Sequence, residues 1–342
     1  MALTDGILFG MGNPLLDMQS VVDQDLLDKY KLKSNDAILA DESHAELFED
    51  LKTRPDIEYI PGGATQNVMR VAQWVVNRPS TTTFMGSVGK DDYAKILANK
   101  ARAAGVNVQY QETDDVKTGT CAVLVNGQHR SLVADLSAAN HYKLDHLMKP
   151  DNHKLMEKAK FFYISGFFLT VSPDSIMHVA KHSLVTGKTF MINLSAPFLS
   201  QFFKDQQTAA LEYCDVIFGN EAEALAFSEV HNLGTKDIAE IAKKLSAWPY
   251  QNKTRTRLAV ITQGADDVIC AQGNEVRKYP VHKLTKDEIV DTNGAGDAFC
   301  GGYVSQLIQG KSEADCVKCG LYAAREIIQR TGCTLPEKCG FN

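Results

Sequence analysis

Apolar residues fall along this chain in two rhythms. Short unbroken runs at 6–12 ("GILFGMG"), 82–89 ("TTFMGSVG"), 161–166 ("FFYISG"), 189–194 ("TFMINL"), 215–219 ("DVIFG") and 258–262 ("LAVIT") read as strands buried on both faces. Between them apolar positions recur every three or four residues, which predicts helices over 67–76, 91–104, 173–186, 221–229 and 235–248. Two longer helical stripes close the chain: Cys300, Val304, Leu307 and Ile308, ending at Gly310, then Ala314, Val317, Leu321, Ala324 and Ile328, ending at Gly332. Continuously apolar strands alternating with amphipathic helices predict an α/β fold whose central, mainly parallel sheet is covered by helices on both faces.

One segment follows a different rule. "KTGTCAVLVNGQHRSLVADLS", 117–137, alternates apolar and polar residues around Asn126-Gly127, the preferred pair for a type I′ hairpin turn. No helix accompanies it, so it fits poorly in a parallel sheet. With parts of the irregular stretch 15–65 it reads as a small β-rich lid. The expected domains are therefore 1–14, 66–115 and 139–342 for a large α/β body, and 116–138 with part of 15–65 for the lid.

Composition narrows the partners. With 342 residues, 44% hydrophobic and 23% charged, the chain can bury a full core. A net charge of −6 argues against nucleic acid or an anionic membrane as main partner. The opening "MALTDGILFGMG" lacks a secretion signal's basic and apolar regions, and no run of about 18 apolar residues spans a bilayer. Eight cysteines in a chain too long to need staples read as reduced thiols of the cytosol or nucleus. Cys316 and Cys319 form a lone C-x-x-C inside a helical pattern with no second ligand pair nearby, so they read as packed residues one turn apart.

Chemistry in an open α/β sheet belongs at the carboxyl ends of the strands. Here those ends carry "GMGNPLLD", "SGFF", "GNEAE", "TQG" and "DTNGAGD". The dinucleotide template G-x-G-x-x-G fails from both Gly10 and Gly294, since Leu15 and Phe299 stand where glycine is needed. The P-loop template fails too, because Gly187-Lys188-Thr189 precedes a strand instead of following one. In Asn293-Gly294-Ala295-Gly296-Asp297, small residues open a helix where free N–H groups and the macrodipole attract a phosphate. An Asp in that first turn can take a proton from a hydroxyl while the amides neutralise a transferring phosphoryl group. An Asp helix cap with glycines for packing has the same pattern, and the pattern alone does not choose between them.

"DTNGAGDAF" closely resembles the C-terminal signature of the ribokinase-type carbohydrate kinases, and "PGGATQN", "MGSVGKD" and "GNEAEA" resemble three further landmarks of that family. The likeness covers essentially the whole chain. "GNPLLD", "GGATQN", "GFFLTVSP" and "RTGCTLPEK" resemble its adenosine-phosphorylating branch. The resemblance implies a monomeric enzyme that takes ATP and Mg²⁺ and phosphorylates the 5′-hydroxyl of adenosine. Asp297 is then the base, and the amides of Gly294, Ala295 and Gly296 form the anion hole. Asp17, Asn13, Gly63 and Asn67 hold the ribose, while Phe168, Leu132, Ala134 and Leu39 wall the adenine. Arg130, on the second lid strand, clamps phosphate when the lid closes. Asn220 and Glu223 organise Mg²⁺ through water, Thr262, Gly264 and Asn293 border ATP, and Asp291 belongs to a monovalent-cation (K⁺) site. The chain departs from the branch at Ala37 in "NDAILA", where a Gln is usual, so a polar contact to the base is missing or replaced. Two rivals stand beside this reading: a kinase for another nucleoside or a sugar, and a catalytically dead nucleotide sensor.

Overall fold

The computed structural model describes residues 2–34, 37–127 and 129–341. Its strands, in chain order, are β1 (Leu8–Met11), β2 (Leu15–Val21), β3 (Ala37–Leu39), β4 (Glu58–Gly62), β5 (Thr82–Gly89), β6 (Asn107–Thr113), β7 (Thr120–Asn126), β8 (His129–Asp135), β9 (Phe161–Ser165), β10 (Thr189–Asn193), β11 (Val216–Asn220), β12 (Leu258–Gln263), β13 (Asp266–Gln272) and β14 (Glu275–Tyr279). Nine of them form one sheet in the order β14-β13-β12-β11-β10-β9-β1-β5-β6. From β12 through β6 every pairing is parallel, and β13 and β14 close one edge as an antiparallel hairpin. The chain leaves β1 toward β5 and β6, then returns to build outward from β9 on β1's other side. The strand order thus switches at β1, and the crevice beyond its carboxyl end is where such sheets bind ligands.

Side chains alternate across this sheet. Phe9, Met11, Phe162, Ile164, Phe190, Ile192 and Ile217 pack under the helices on one face. Leu8, Tyr163, Met191, Phe218 and Val260 pack on the other against Val68, Met69, Phe299, Tyr303 and Val304. Both faces are dry, which is why these strands are continuously apolar. The helix Ala295–Leu307 crosses that second face between the helices Ala64–Val76 and Glu313–Ile328. A Cβ on Gly301 would stand 2.6 Å from the Val71 Cβ, and one on Gly302 would stand 2.5 Å from the Cys319 carbonyl oxygen. Both glycines are there so that three helices can touch. Cys316 and Cys319 are buried in the same contact, as packed residues, and every described cysteine is a free thiol.

The second sheet, β3-β8-β7-β2-β4, holds the lid residues. Met18, Ala122, Leu124 and Val133 face their own helices, packing on Leu27, Leu47, Phe48 and Leu51. The opposite face is set by register: Asp17 pairs with Cys121 and Ile60, Cys121 with Ala134, Val123 with Leu132, and Leu39 with Ala134. Asp17, Leu132, Ala134, Leu39 and Arg130 therefore share one surface, because strand side chains alternate with period two. One detail of the hairpin differs from expectation. Asn126 pairs with His129, so it ends β7, and Gly127 (φ +60°) is the first residue of the turn. The remaining turn residue, 128, lies outside the described residues.

Candidate active site

Gly294 adopts φ +75° as the N-cap of the helix Ala295–Leu307, a left-handed conformation that a side chain disfavours. The chain turns there so that the helix begins with its amides directed outward. Among the described residues, the N–H groups of Gly294, Gly296 and Asp297 donate to no protein acceptor, and the helix ladder begins with Ala298 N–H on the Gly294 carbonyl at 2.8 Å. The amide of Ala295 turns back to the Thr292 carbonyl at 3.3 Å. Gly296 is exposed, and a Cβ built on it meets no atom within 4 Å. No packing partner needs glycine at that position, unlike Gly301 and Gly302, so the space it leaves is free for a ligand.

Asp297 follows in the first turn. Its Oδ2 accepts from Asn67 Nδ2 at 3.0 Å. The residue keeps partial exposure through the cleft, but protein surrounds the carboxyl closely enough that burial pushes its pKa up to about 7, against the opposing pull of the Asn67 hydrogen bond. Asn67 also accepts from Arg70 Nη1 at 3.3 Å, and the same nitrogen donates to the Pro61 carbonyl at 2.8 Å. Asp17 lies close enough to Asp297 for the two charges to repel. Burial, with Asp297 and Asp291 adding to it, pushes Asp17 up to about 7, while the Arg70 guanidinium pulls it back down.

Two glycines make room for Asp17 and Asn13. A Cβ on Gly62 would sit 2.2 Å from Asp17 Oδ1, and a Cβ on Gly63, at φ +90°, would sit 2.1 Å from the Asn13 carbonyl oxygen. Either side chain would expel a polar group from the crevice. Asn13 Oδ1 is buried with no hydrogen-bond partner, and no protein group donates to the Asp17 carboxylate among the described residues. Such unspent buried acceptors are costly unless something supplies donors. Gly62 and Arg70 escaped notice in the sequence, since the Asp17 beside Gly62 lies 45 residues upstream and Arg70 bears on the site through Asn67, whose other partner Asp297 is 230 residues away.

Arg130 reaches from β8 across to the large body. Its Nε lies 3.5 Å from Asp291 Oδ2 and its Nη2 donates to the Val290 carbonyl at 3.4 Å, at the entrance to the Asn293–Asp297 turn. Asp291 is buried, and its two oxygens accept from the N–H groups of Asn293 at 2.8 Å and Gly332 at 2.9 Å. Two backbone donors and the Arg130 cation hold that carboxylate, and the Asp17 carboxylate lies near enough to feel its charge. With both oxygens used in this way, Asp291 anchors Arg130 beside the turn that Asn293 enters.

Leu132 and Ala134 are half-buried and Leu39 is exposed on the lid surface described above. Phe168 is placed differently from an open stacking face. It is fully buried in the turn after β9, edge-on to Tyr142 with ring centroids 5.3 Å apart. Ala37 opens β3, and its side chain lies outside those described.

At the next strand ends, Asn220 and Glu223 form a reciprocal cap. Glu223 N–H donates to Asn220 Oδ1 at 2.9 Å, Asn220 N–H donates to Glu223 Oε2 at 3.0 Å, and Asn220 Nδ2 donates to Oε1 at 2.8 Å. Burial pushes Glu223 up to about 7, and the two charged side chains acting on it, Asp297 and Glu221, are both acidic and push it further up. It borders a cavity of about 40 Å³ shared with Asn193, Thr262, Gly296 and Cys300. That holds about three waters, and a buried carboxylate lacking a cationic neighbour fits water-mediated Mg²⁺. Thr262 borders the same cavity, whereas Gly264 (φ +56°) lies beyond it in an exposed turn and meets nothing. Among the described residues no cluster of three His, Cys, Asp or Glu forms a direct metal cage.

A family model for pfkB family carbohydrate kinases matches residues 24–339. The chain belongs to the pfkB carbohydrate kinase family. Among its members the chain is similar to adenosine kinase 2 of Arabidopsis thaliana, 55% identical over 338 residues that cover 99% of this chain and 98% of the relative. Adenosine kinase of Anopheles gambiae, solved with P1,P4-di(adenosine-5) tetraphosphate, superposes with TM-score 0.94 at 50% identity, covering 99% of this chain and all of that one (100%). The Schistosoma mansoni adenosine kinase solved with 2-fluoroadenosine gives 0.93 at 36% identity, covering 98% of this chain and 99% of that one. The pfkB member described here thus stands with adenosine kinases along its whole length, and its α/β body with a second small sheet is the ribokinase-like fold.

Proposed function

We propose that the chain is an ATP-dependent kinase that phosphorylates the 5′-hydroxyl of adenosine, giving AMP and ADP. The observation that carries this is the pairing of Asp297, poised beside three open amides, with the unspent acceptors of Asp17 and Asn13 in the same crevice. Asp17 takes the ribose 2′- and 3′-hydroxyls, since a carboxylate's two oxygens match a vicinal diol. Asn13 Oδ1 accepts from the same sugar edge. Leu39, Leu132 and Ala134 close over the base, Phe168 backs its other side, and the small sheet serves as the lid.

With a pKa near 7, Asp297 is half-ionised at neutral pH, the range in which a general base is effective. It accepts the 5′-hydroxyl proton as the oxygen attacks the γ-phosphoryl group in line. The N–H groups of Gly294, Gly296 and Asp297 meet the charge on the transferring group, and because they are already oriented they need no reorganisation. Arg130, held above this turn by Asp291, moves onto the phosphoryl oxygens as the lid closes. Glu223 and Asn220 would hold Mg²⁺ through waters, and the ion's chemistry there is charge neutralisation on the ATP phosphates. Thr262 lies along the ATP side of the cavity. The enzyme works as a monomer in the cytoplasm, the nucleus being a further compartment of its reduced thiols. No helix among the described residues is long and apolar enough to cross a membrane.

A turnover panel of adenosine, guanosine, inosine and ribose tests the reading. Adenosine should give ADP release at a kcat/KM at least about tenfold above the others, the scale of one lost or clashing contact in the base pocket. Equal or faster turnover of ribose would move the chain to the sugar kinases, and no turnover of any would support a sensor.

A further inference from the structure

Arg70 lies in the second turn of the helix Ala64–Val76, one turn beyond Asn67, and is only 7% exposed. A guanidinium only donates hydrogen bonds, and an ionised carboxylate only accepts them. The Asn67 amide stands between one of each: its Oδ1 takes Arg70 Nη1 and its Nδ2 serves Asp297 Oδ2. The amide has a single orientation compatible with both neighbours. Arg70 is itself anchored, because Nη1 also donates to the carbonyl of Pro61, in the strand end that turns through Gly62 beside Asp17.

We propose that Arg70 is a positioning residue for the phosphoryl transfer: it locks the Asn67 amide so that Nδ2, not Oδ1, faces the Asp297 carboxylate. The inference rests on Asp297 being the base of the reading above. Without the guanidinium, Asn67 loses the group that holds its oxygen. The flipped amide then sets Oδ1 against Asp297 Oδ2, two acceptors in contact, and only a protonated Asp297 can satisfy both. A protonated Asp297 cannot accept the hydroxyl proton, so turnover is lost while the ribose ligands Asp17 and Asn13 remain in place. Arg70 is also the one positive group acting on Asp17, with Asp297, Asp291 and the Cys121 and Cys333 thiols as its other titratable neighbours.

A double-mutant cycle read in kcat tests this, with adenosine KM followed alongside. Arg70→Met and Asn67→Ala should each lower kcat by about tenfold or more, the scale of one hydrogen bond in a dry site. The double variant should be no slower in kcat than Asn67→Ala alone, because on the chemical step Arg70 acts through that amide while its charge on Asp17 is read in KM, and Arg70→Lys should restore kcat to within about threefold. If Arg70→Met does not fold, the cycle is run with Arg70→Leu, which likewise carries no donor, and Arg70→Gln, which keeps one, should behave like Arg70→Lys. Multiplicative losses in either cycle, or a Lys variant as slow as Met, would overturn the assignment by showing that Arg70 only supports the fold. Failure of the kinase reading is distinct, since then the unmutated chain would release no ADP with adenosine.

Discussion

Replacing Asp297 with Asn should stabilise the protein and disable it, and both effects can be sized. The folded carboxyl has a pKa near 7 against 3.8 in the unfolded chain, about 3 units. At 1.36 kcal/mol per unit, that is a cost of about 4 kcal/mol to the folded state at pH 8. Solvent entering the cleft screens the charge and halves this, and the favourable helix-dipole interaction that Asn forfeits removes up to about 1 kcal/mol more. A net gain of about 1–2 kcal/mol remains, on the order of 2–5 °C in Tm. The sign follows from linkage. A raised carboxyl pKa means the folded state holds the proton longer, so wild-type stability falls as pH rises from about 4 to 7 and then levels off. The gain from Asn should therefore be near zero at pH 4, grow through that window and be complete above it. Calorimetry from pH 4 to 8 checks the stability, and ADP release checks a predicted loss of 10²–10⁴ in kcat. A gain independent of pH, or a kcat near wild type, would refute the reasoning.

Three further outcomes follow from the same geometry. Gly296→Ala places a Cβ where no protein atom lies, so Tm should hold or rise slightly while kcat falls at least tenfold, measured by melting and ADP release on one preparation. Gly301→Ala drives a Cβ to 2.6 Å from Val71, so it should cost about 1–3 kcal/mol in denaturant unfolding, and a neutral result would mean the helix contact is loose. Glu223→Gln removes a buried charge, keeps an oxygen for the Asn220 N–H and gives up the bond from Asn220 Nδ2, so the Mg²⁺ concentration for half-maximal rate should rise several-fold with adenosine KM unchanged.

Why some of this was legible in the sequence and some was not comes down to range. β5 spans 82–89 in the structure as its apolar run indicated, because a strand dry on both faces must be apolar throughout. The edge strands gave weaker signals. β6, "NVQYQET", is only half-buried, and β13 and β14 carry charge at the sheet margin, although Gly273-Asn274 is a recognisable hairpin pair. In the site, Asp297 and its glycines could be read from a nine-residue stretch because the chemistry there is local to one helix start. Gly62 and the Arg130–Asp291 pair could not, since each is defined by a partner brought in by the tertiary fold, and Arg70 gains its meaning only because Asn67, its neighbour, meets Asp297. Sequence also shows which residues open a helix, but the turn's own i to i+3 bond, here Ala295 N–H to the Thr292 carbonyl, decides which N–H groups stay free.

The central claim is transfer to the 5′-hydroxyl of adenosine, and a paired substrate tests it most directly. Purified protein with Mg²⁺ and ATP is given adenosine or 5′-deoxyadenosine, which differs only in lacking the oxygen that Asp297 is placed to activate, and both nucleotide products are quantified. The predicted result is AMP and ADP formed one-to-one from adenosine, with no ADP above the substrate-free rate from the 5′-deoxy compound. Equal ADP release from both, or ADP from adenosine without AMP, would contradict the account.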